Sequence, residues 1–270
     1  VYDSYVPAIE TVGGTAVFAQ LKFPDYAPDW AQVAQLITPK TRMIIINSPH
    51  NPTGSLLTAV DLEKLAELLR GTDIVVLSDE VYEHILFDGE QHASLCAHPA
   101  LAQRSIIVSS FGKTYHITGW KIGYVVGPAA LMAEFRKVHQ FNVFTVHTPS
   151  QLALAEYMQD AARHLGLAAF YQEKRDFFRS LLAATPFELL PCRGTYFQLA
   201  RYSAISDLPD RAFAEWMTRE IGVAVIPVSV FYADGRDDQV VRFCFAKKEE
   251  TLLAAAERLG NRKLGRGHKP

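Results

Sequence analysis

Short, nearly continuous apolar runs recur along the first half of the chain, and each is bounded by polar or turn-forming residues. Runs of this length that are rich in Ile and Val are typical of buried β-strands. The predicted strands lie at 43–47, 74–77, 105–109 and 124–126. Because such strands alternate with helical segments, they predict an α/β fold in which a mostly parallel sheet is sandwiched by helices.

Helical periodicity separates the first two of these strands. The apolar face of the segment 58–70 consists of Leu62, Leu65, Leu68 and Leu69. Thr58 and Asp61 have the spacing of a capping box, so this helix is expected to begin at Thr58 and to end at Gly71. A further helix is predicted at 128–140.

The pattern changes in the second half, where long helical segments precede short strands. The predicted helices lie at 150–160, 168–183, 211–220 and 249–259, and the predicted strands at 187–190, 195–200 and 240–245. This arrangement predicts a smaller α+β domain at the C-terminal end. We therefore expect a large domain at 1–160 and a small domain at 161–270, whose tail, 260–270, is expected to be frayed.

Composition and charge narrow the range of partners. The chain has 270 residues and a formal net charge of −2, which gives no indication of a nucleic acid or an anionic membrane as partner. No apolar run approaches the roughly 20 residues that a transmembrane helix needs. Cys96, Cys192 and Cys244 form no C-x-x-C pair, which predicts a reducing, cytoplasmic location rather than a disulfide framework. The histidines lack the spacing of metal ligands, so no metal site is expected.

Polar side chains follow the predicted parallel strands at the point where each strand ends, and ligands of open parallel sheets bind outside these carboxyl ends. Asn51 follows the first strand. Asp79 and Tyr82 follow the second, and Ser110 and Lys113 follow the third. In isolation each has a plainer explanation, such as a turn, an acid at a strand end or a solvated lysine. Together, an amide, a carboxylate, a phenol, a hydroxyl and an amine at one sheet edge indicate a binding site.

These chemical groups match the atoms of pyridoxal 5'-phosphate. A lysine amine forms a Schiff base with an aldehyde, and a carboxylate holds a protonated ring nitrogen by a charge-assisted hydrogen bond. The phenol and the amide can contact a ring oxygen, while the hydroxyl and a second lysine, Lys121, suit a phosphate. Because this cofactor acts as an electron sink in enzymes, the pattern predicts an enzyme that uses it.

Several sequence blocks resemble the class I/II aminotransferases, which are pyridoxal-phosphate enzymes of fold type I. The blocks are "SPHNPTG", "SDEVY" and "SFGKTYHITGWKIGY". Within this family, "CRGTYFQL" and "FCFAKKEETLLAAAERL" are similar to the kynurenine and glutamine aminotransferase branch and its bacterial methionine aminotransferases. The resemblance extends over essentially the whole chain and implies a fold type I large domain followed by a small domain.

The resemblance implies a role for each residue that follows the second and third strands. Lys113 would hold the cofactor covalently and move a proton during the reaction. Asp79 would pair with the pyridine nitrogen, and Tyr82 with the ring hydroxyl oxygen. Ser110 would bind the phosphate, and Lys121 stands where many relatives have an arginine that does the same.

Three further residues receive roles from the resemblance. Tyr2 would stack on the cofactor ring, and Asn51 would contact the ring oxygen near the substrate. Arg242, within "VVRFCFA", would bind the substrate carboxylate as a bidentate partner, although an exposed strand charge is the plainer explanation from the residue alone. The implied reaction transfers an amino group from a neutral apolar, sulfur-containing or aromatic L-amino acid to a 2-oxo acid, in a homodimer.

Relatives in this family carry an N-terminal segment before the position of Val1, so the chain is expected to lack the first strands and a phosphate-holding loop. Three other functions stay open at this point. A carbon–sulfur β-lyase of the same fold would use the same cofactor residues, and a truncated homologue would act only as a structural or interaction chain. A nucleotide-binding α/β protein is less well supported, because no G-x-G-x-x-G follows a strand.

Overall fold

The computed structural model describes residues 1–261, and these pack into two compact units. The parallel-sheet unit consists of Val33–Pro49 and Leu56–Ala169. The antiparallel-sheet unit consists of Val1–Gln32, His50–Ser55 and the described chain from Phe170 onward. Each unit contains one sheet and is described below by itself.

The secondary structure follows the predicted alternation closely. The strands are β1 (Met43–Asn47), β2 (Val75–Asp79), β3 (Ser105–Ser110), β4 (Gly123–Val126), β5 (Glu188–Leu189), β6 (Phe197–Arg201), β7 (Ile226–Pro227) and β8 (Val240–Cys244). The α-helices are α1 (Tyr5–Thr11), α2 (Trp30–Leu36), α3 (Ala59–Leu68), α4 (Pro99–Ala102), α5 (Phe111–Thr114), α6 (Ala129–Asn142), α7 (Thr148–Tyr157), α8 (Ala162–Leu165), α9 (Leu167–Leu182), α10 (Asp210–Trp216) and α11 (Glu249–Asn261). Short 3₁₀ segments occupy Leu95–Ala97, Thr118–Trp120 and Val228–Phe231.

The sheet of the parallel-sheet unit has the strand order β1-β2-β3-β4. The first three strands are parallel, and β4 runs antiparallel to β3, which confirms the predicted mostly parallel sheet. The parallel pairings bring the carboxyl ends of β1, β2 and β3 to one edge, where Asn47 lies opposite Asp79. Because β4 is antiparallel, its first residue, Gly123, lies opposite Ser110 at this same edge.

Helix α3 forms as its sequence predicts. The Thr58 side chain accepts a hydrogen bond from the Asp61 backbone N–H, and the Asp61 carboxylate accepts one from the Thr58 N–H at 2.8 Å. This capping box satisfies two N–H groups that a helix N-terminus otherwise leaves without partners. Leu62 and Leu65 are buried, and Gly71 adopts a positive φ of 74° shortly after the helix ends.

The antiparallel-sheet unit has the strand order β5-β6-β8-β7. Its core is aromatic: the Phe243 ring of β8 lies 5.7 Å from Phe178 of α9 and 5.3 Å from Phe187. Along β8, Val241 and Phe243 are buried while Arg242 between them is half-buried. The strand therefore presents Arg242 on the face opposite its buried neighbours.

Two predicted elements differ from the structure in detail. The helix predicted at 211–220 is α10 followed by a π-helical turn at Met217–Ile221, which ends at Gly222 with a φ of 75°. The strand predicted at 195–200 begins at Phe197, because Thr195 has a φ of 65° that no strand residue adopts.

The domain boundary near residue 160 stays a prediction. The predicted tail at 260–270 lies outside the described residues from 262 onward, while α11 includes Gly260 and Asn261. Among residues 1–261, no helix is long and apolar enough to cross a membrane.

Candidate active site

Asp79 is the last residue of β2, at the edge of the parallel sheet. Its Oδ1 accepts a hydrogen bond from the Val81 N–H at 3.2 Å, which orients the carboxylate. Its carbonyl oxygen accepts hydrogen bonds from the Asn47 side chain at 2.9 Å and from the Ser48 N–H at 3.1 Å. The end of β1 therefore fixes the backbone that carries this carboxylate.

Lys113 and Tyr82 lie close together in the parallel-sheet unit. The Lys113 Nζ is 5.9 Å from the centroid of the Tyr82 ring. Tyr82 is buried in the turn that follows β2, while Lys113 is half-buried in α5 directly after β3. The structure thus brings the predicted amine and phenol together from neighbouring strands of one sheet.

Ser110 forms the junction between β3 and α5. Its hydroxyl accepts a hydrogen bond from the Gly112 N–H at 3.1 Å and donates to the Ile122 carbonyl at 3.4 Å. A Cβ at Gly112 would lie 3.0 Å from the Thr118 Cα, so a side chain there would require the neighbouring backbone to shift. Ser110 therefore sets where α5 begins, and with it the position of Lys113.

Lys121 ends the 3₁₀ segment with left-handed backbone angles, a φ of 55° and a ψ of 42°. This conformation is uncommon for a residue with a side chain, and such strain concentrates at functional positions. Lys121 is exposed and lies two residues before Gly123, which faces Ser110 across the β3–β4 pair. The predicted phosphate-binding pair therefore occupies neighbouring segments of one unit.

The sequence did not point to Glu83, which lies next to Tyr82. Glu83 Oε1 accepts hydrogen bonds from Ser109 Oγ at 2.8 Å and from the Tyr124 hydroxyl at a still shorter distance. Its position after the "SDEVY" block places it near the site, but only the paired register of β3 and β4 brings its two partners together.

In the antiparallel-sheet unit, the structure pairs Asn51 with Arg242. The Arg242 Nη1 donates to Asn51 Oδ1 at 2.7 Å across 191 positions of sequence. The guanidinium carbon lies 4.0 Å from the Phe197 ring centroid and 5.4 Å from that of Phe231. An arginine held by an amide and two aromatic faces has a restricted orientation, which suits recognition of a carboxylate.

The loop that carries Asn51 is held by a short polar chain. His50 Nδ1 lies 2.8 Å from Thr53 Oγ1, which lies 2.8 Å from Ser55 Oγ. Burial lowers the pKa of His50 to about 3, so its imidazole is neutral at pH 7. Gly54 has a φ of 70°, and a Cβ there would lie 2.9 Å from the Gly194 carbonyl oxygen. These contacts pack the loop closely and support Asn51 beside Arg242.

Tyr2 is exposed near the start of the antiparallel-sheet unit. Its ring meets Tyr5 edge-on at 5.8 Å between centroids. The structure thus groups Tyr2, Asn51 and Arg242 in one unit and the other predicted site residues in the parallel-sheet unit. Among the described residues, no cluster of His, Cys, Asp and Glu could hold a metal ion.

The side chains of the parallel-sheet unit fit pyridoxal 5'-phosphate by their chemistry. Lys113 supplies an amine for the aldehyde, Asp79 an acceptor for a protonated ring nitrogen, and Tyr82 a donor for the ring oxygen. Ser110 and Lys121 supply a hydroxyl and a cation for the phosphate. Every reactive or charged part of the cofactor therefore has a matching side chain in this unit.

The family described as "Aminotransferase class I and II" matches residues 1–259, which is nearly all of the chain. The chain therefore belongs to the class I and II aminotransferases. The predicted family, the fold type I fold class and the assignment as a transaminase are confirmed.

Individual relatives of the chain are named as an aminotransferase and a transaminase. The chain is 51% identical to the methionine aminotransferase of Escherichia coli K12, over 96% of this chain and 67% of the relative. It is 35% identical to kynurenine–oxoglutarate transaminase 1 of Rattus norvegicus, over 96% of this chain and 69% of that protein.

Solved structures of aminotransferases match the fold of this chain. The crystal structure of YbdL from Escherichia coli, reported to have a methionine aminotransferase function, matches with a TM-score of 0.94 and 50% identity, over 97% of this chain and 69% of that one. The aromatic aminotransferase of Pyrococcus horikoshii OT3 matches with a TM-score of 0.88 and 30% identity, over 97% and 70%.

Proposed function

We propose that this aminotransferase uses pyridoxal 5'-phosphate to transfer the amino group of a methionine-like L-amino acid to a 2-oxo acid. Two positions carry the proposal. Lys113 Nζ lies 5.9 Å from the Tyr82 ring centroid, and Asp79 is the last residue of β2 in the same unit. The identity of 51% to a methionine aminotransferase supports the substrate class.

The parallel-sheet unit would hold the cofactor. Lys113 would bind its aldehyde carbon, Asp79 would keep its ring nitrogen protonated, and Tyr82 would donate to its ring oxygen. Ser110 and Lys121 would bind its phosphate, with Lys121 as a fixed positive charge. When bound, the cofactor supplies an electron sink for the charge that develops on the substrate α-carbon.

Lys113 would also act as the acid–base group. With the cofactor bound, the Lys113 amine would accept the proton that the substrate α-carbon loses and would return a proton as the amino group is transferred. Because the Ser110 side chain caps the start of α5, the amine has a defined position, 5.9 Å from the Tyr82 ring centroid. The two half-reactions, one for the amino acid and one for the 2-oxo acid, give ping-pong kinetics.

Arg242 and Asn51 would bind the substrate. The guanidinium would donate two hydrogen bonds to the α-carboxylate. Asn51, whose Oδ1 accepts from Arg242 Nη1 at 2.7 Å, would fix the orientation of the guanidinium and is also proposed to contact the ring oxygen of the cofactor. Phe197 and Phe231 surround the guanidinium with apolar rings, which favours donors with apolar, sulfur-containing or aromatic side chains. Tyr2 is proposed to stack on the cofactor ring.

A donor profile tests the substrate class. The holoenzyme is assayed with methionine, phenylalanine, leucine and aspartate as donors, and kcat/KM is compared at one concentration of 2-oxo acid. We expect methionine and the aromatic donor to exceed aspartate by at least about tenfold, since the second carboxylate of aspartate would be desolvated beside apolar rings.

The matched variant Arg242→Lys keeps the charge but loses the bidentate fork, so it should raise KM for every donor.

Three results would contradict this function. Aspartate as the best donor would overturn the substrate class. Release of ammonia and pyruvate from a cysteine conjugate, without amino transfer, would indicate a β-lyase instead. Failure of borohydride to fix the cofactor on Lys113 in the folded protein would indicate that the chain is not a pyridoxal-phosphate enzyme.

We also propose that the protein forms a homodimer. Large apolar side chains of the parallel-sheet unit are exposed: Phe141 at 86%, Phe144 at 79% and Leu152 at 66%. Large apolar side chains this exposed, close together in sequence, favour an interaction surface. Sedimentation velocity should give a dimer, and Phe141→Ser with Phe144→Ser should shift it toward monomer. A wild-type monomer at assay concentrations would rule the dimer out.

The cytoplasm is the proposed location. Cys96, Cys192 and Cys244 are all free thiols, which suits a reducing compartment. Fractionation of the source cells checks this, and recovery of the enzyme outside the cytoplasm would contradict it.

A further inference from the structure

One carboxylate oxygen joins three segments of the parallel-sheet unit. Glu83 Oε1 accepts from Ser109 Oγ at 2.8 Å and, at a shorter distance, from the Tyr124 hydroxyl. Ser109 and Tyr124 are register partners on β3 and β4, so both donors reach the oxygen from adjacent strands. Glu83 itself lies in the turn after β2, and 21% of its side chain is exposed.

Two of these three residues are chain neighbours of proposed cofactor residues, and the third follows the register partner of one. Glu83 directly follows Tyr82, and Ser109 directly precedes Ser110, whose hydroxyl caps the helix that carries Lys113. Tyr124 follows Gly123, which lies opposite Ser110. Two hydrogen bonds to one oxygen therefore fix the relative positions of the backbone segments that present the phenol, the hydroxyl and the amine.

The surroundings keep both hydrogen bonds in place. Burial and the hydrogen bond to Glu83 raise the pKa of Tyr124, so its hydroxyl stays protonated and remains a donor. Ser109 is buried, and the Phe111 ring lies 5.2 Å from the Tyr124 ring. His84 Nε2 lies 3.9 Å from the same oxygen, and the His84 ring lies 5.0 Å from that of His164. Glu80 also lies close enough to Tyr124 to contribute to its raised pKa, and Cys96 and Tyr115 interact electrostatically with Glu83.

Strands β3 and β4 pack closely beside the Glu83 partners. A Cβ at Gly123 would overlap the carbonyl oxygen of Ser109. The carboxylate therefore bridges the two strands next to a position that has no space for a side chain.

We propose that Glu83 is a positioning residue for the cofactor site, which it holds together through Ser109 and Tyr124 without contacting the cofactor. The inference rests on the proposed function, since it assigns Glu83 to the site formed by Tyr82, Ser110 and Lys113. Removal of the Glu83 carboxylate would let the three segments separate. Cofactor affinity would then fall although the protein still folds.

The test measures the dissociation constant of pyridoxal 5'-phosphate for the reconstituted apoenzyme, from its absorbance, together with the melting temperature. Glu83→Ala leaves two partly buried hydroxyls without their acceptor, so cofactor affinity should fall about tenfold or more. Glu83→Gln keeps an acceptor oxygen in the same place and should restore most of that affinity. Tyr124→Phe should lower affinity on its own but add little in the Glu83→Ala background.

Thr58→Ala serves as the matched control. It removes the capping box of α3, so it lowers the melting temperature without touching the site. Its cofactor dissociation constant should equal that of the wild type. The proposal would be overturned if cofactor affinity fell in proportion to the melting temperature in both Thr58→Ala and Glu83→Ala. General destabilisation would then explain both losses of affinity.

The remaining outcomes are decisive too. Wild-type affinity in Glu83→Ala, or no rescue by Glu83→Gln, would refute the positioning role. If Glu83→Ala does not fold, the test rests on Tyr124→Phe and Glu83→Gln. Unchanged cofactor affinity in Tyr124→Phe would then overturn the proposal. Failure of borohydride to fix the cofactor on wild-type Lys113 would instead reject the proposed function, so the two failures are distinguishable.

Discussion

Lys113→Ala is expected to abolish amino transfer from methionine, with a loss on the order of 10⁴-fold or more, the upper end of what a positioned acid–base group contributes. Two functions would disappear together, because the same amine binds the aldehyde carbon and moves the proton. Cofactor should still bind, since Asp79, Tyr82, Ser110 and Lys121 remain. Steady-state kinetics measure the activity, and borohydride reduction followed by peptide mass analysis should find no cofactor attached to the variant.

Two matched lysines sharpen this prediction. Lys137→Ala removes an exposed lysine of α6 that pairs with Glu134 at 2.7 Å, and it should leave activity and borohydride fixation unchanged. Lys121→Ala should mainly weaken cofactor retention while Lys113 is still labelled. Amino transfer by Lys113→Ala within about a hundredfold of wild type would contradict the acid–base assignment.

Asp79→Asn should produce the second largest effect, a fall in kcat on the order of 10²–10³-fold, as when one preorganised partner of a developing charge is removed. The amide keeps the shape of the side chain and can retain the hydrogen bond to the Val81 N–H. The amide lacks the negative charge that is proposed to keep the ring nitrogen protonated. Charge that develops on the substrate α-carbon would therefore be stabilised less than in the wild type. Stopped-flow measurement of each half-reaction should find both slowed.

The control for this variant is Asp73→Asn. Asp73 is an exposed carboxylate shortly before β2, so the same chemical change there removes a charge without altering the sheet edge. Its kinetics should match those of the wild type. Asp79→Asn with kcat within about threefold of wild type would show that this carboxylate does not stabilise the developing charge.

The strands and the first capped helix could be predicted because their causes are local. Apolar runs bounded by turns produced β1 to β3, and the Thr58–Asp61 pair sets the start of α3. The family blocks located the site residues along the chain for the same reason, since each block is a short contiguous segment.

The pairings within the site could not be predicted, because they depend on tertiary structure. The hydrogen bond that Asn51 accepts from Arg242 joins residues 191 positions apart, and neither sequence block specifies it. The hydrogen bond of Tyr124 to Glu83 spans 41 positions and requires an antiparallel β4 that nothing in the local pattern specifies. The left-handed backbone of Lys121 had no signal either, since positive φ is associated with glycine and asparagine.

The antiparallel direction of β4 has a consequence for how this segment can vary. The Phe111 N–H donates to the Ile122 carbonyl at 3.2 Å, and the Thr118 hydroxyl donates to the Gly112 carbonyl at 3.1 Å. The stretch from Lys113 to Lys121 is thus a closed loop whose two ends are fixed to each other and to the sheet. Loops on protein surfaces generally accept insertions, but here an added residue would displace Lys113 and Lys121, the proposed amine and phosphate countercharge, at once. The length of this loop is therefore as much a part of the site as the two lysines that it carries.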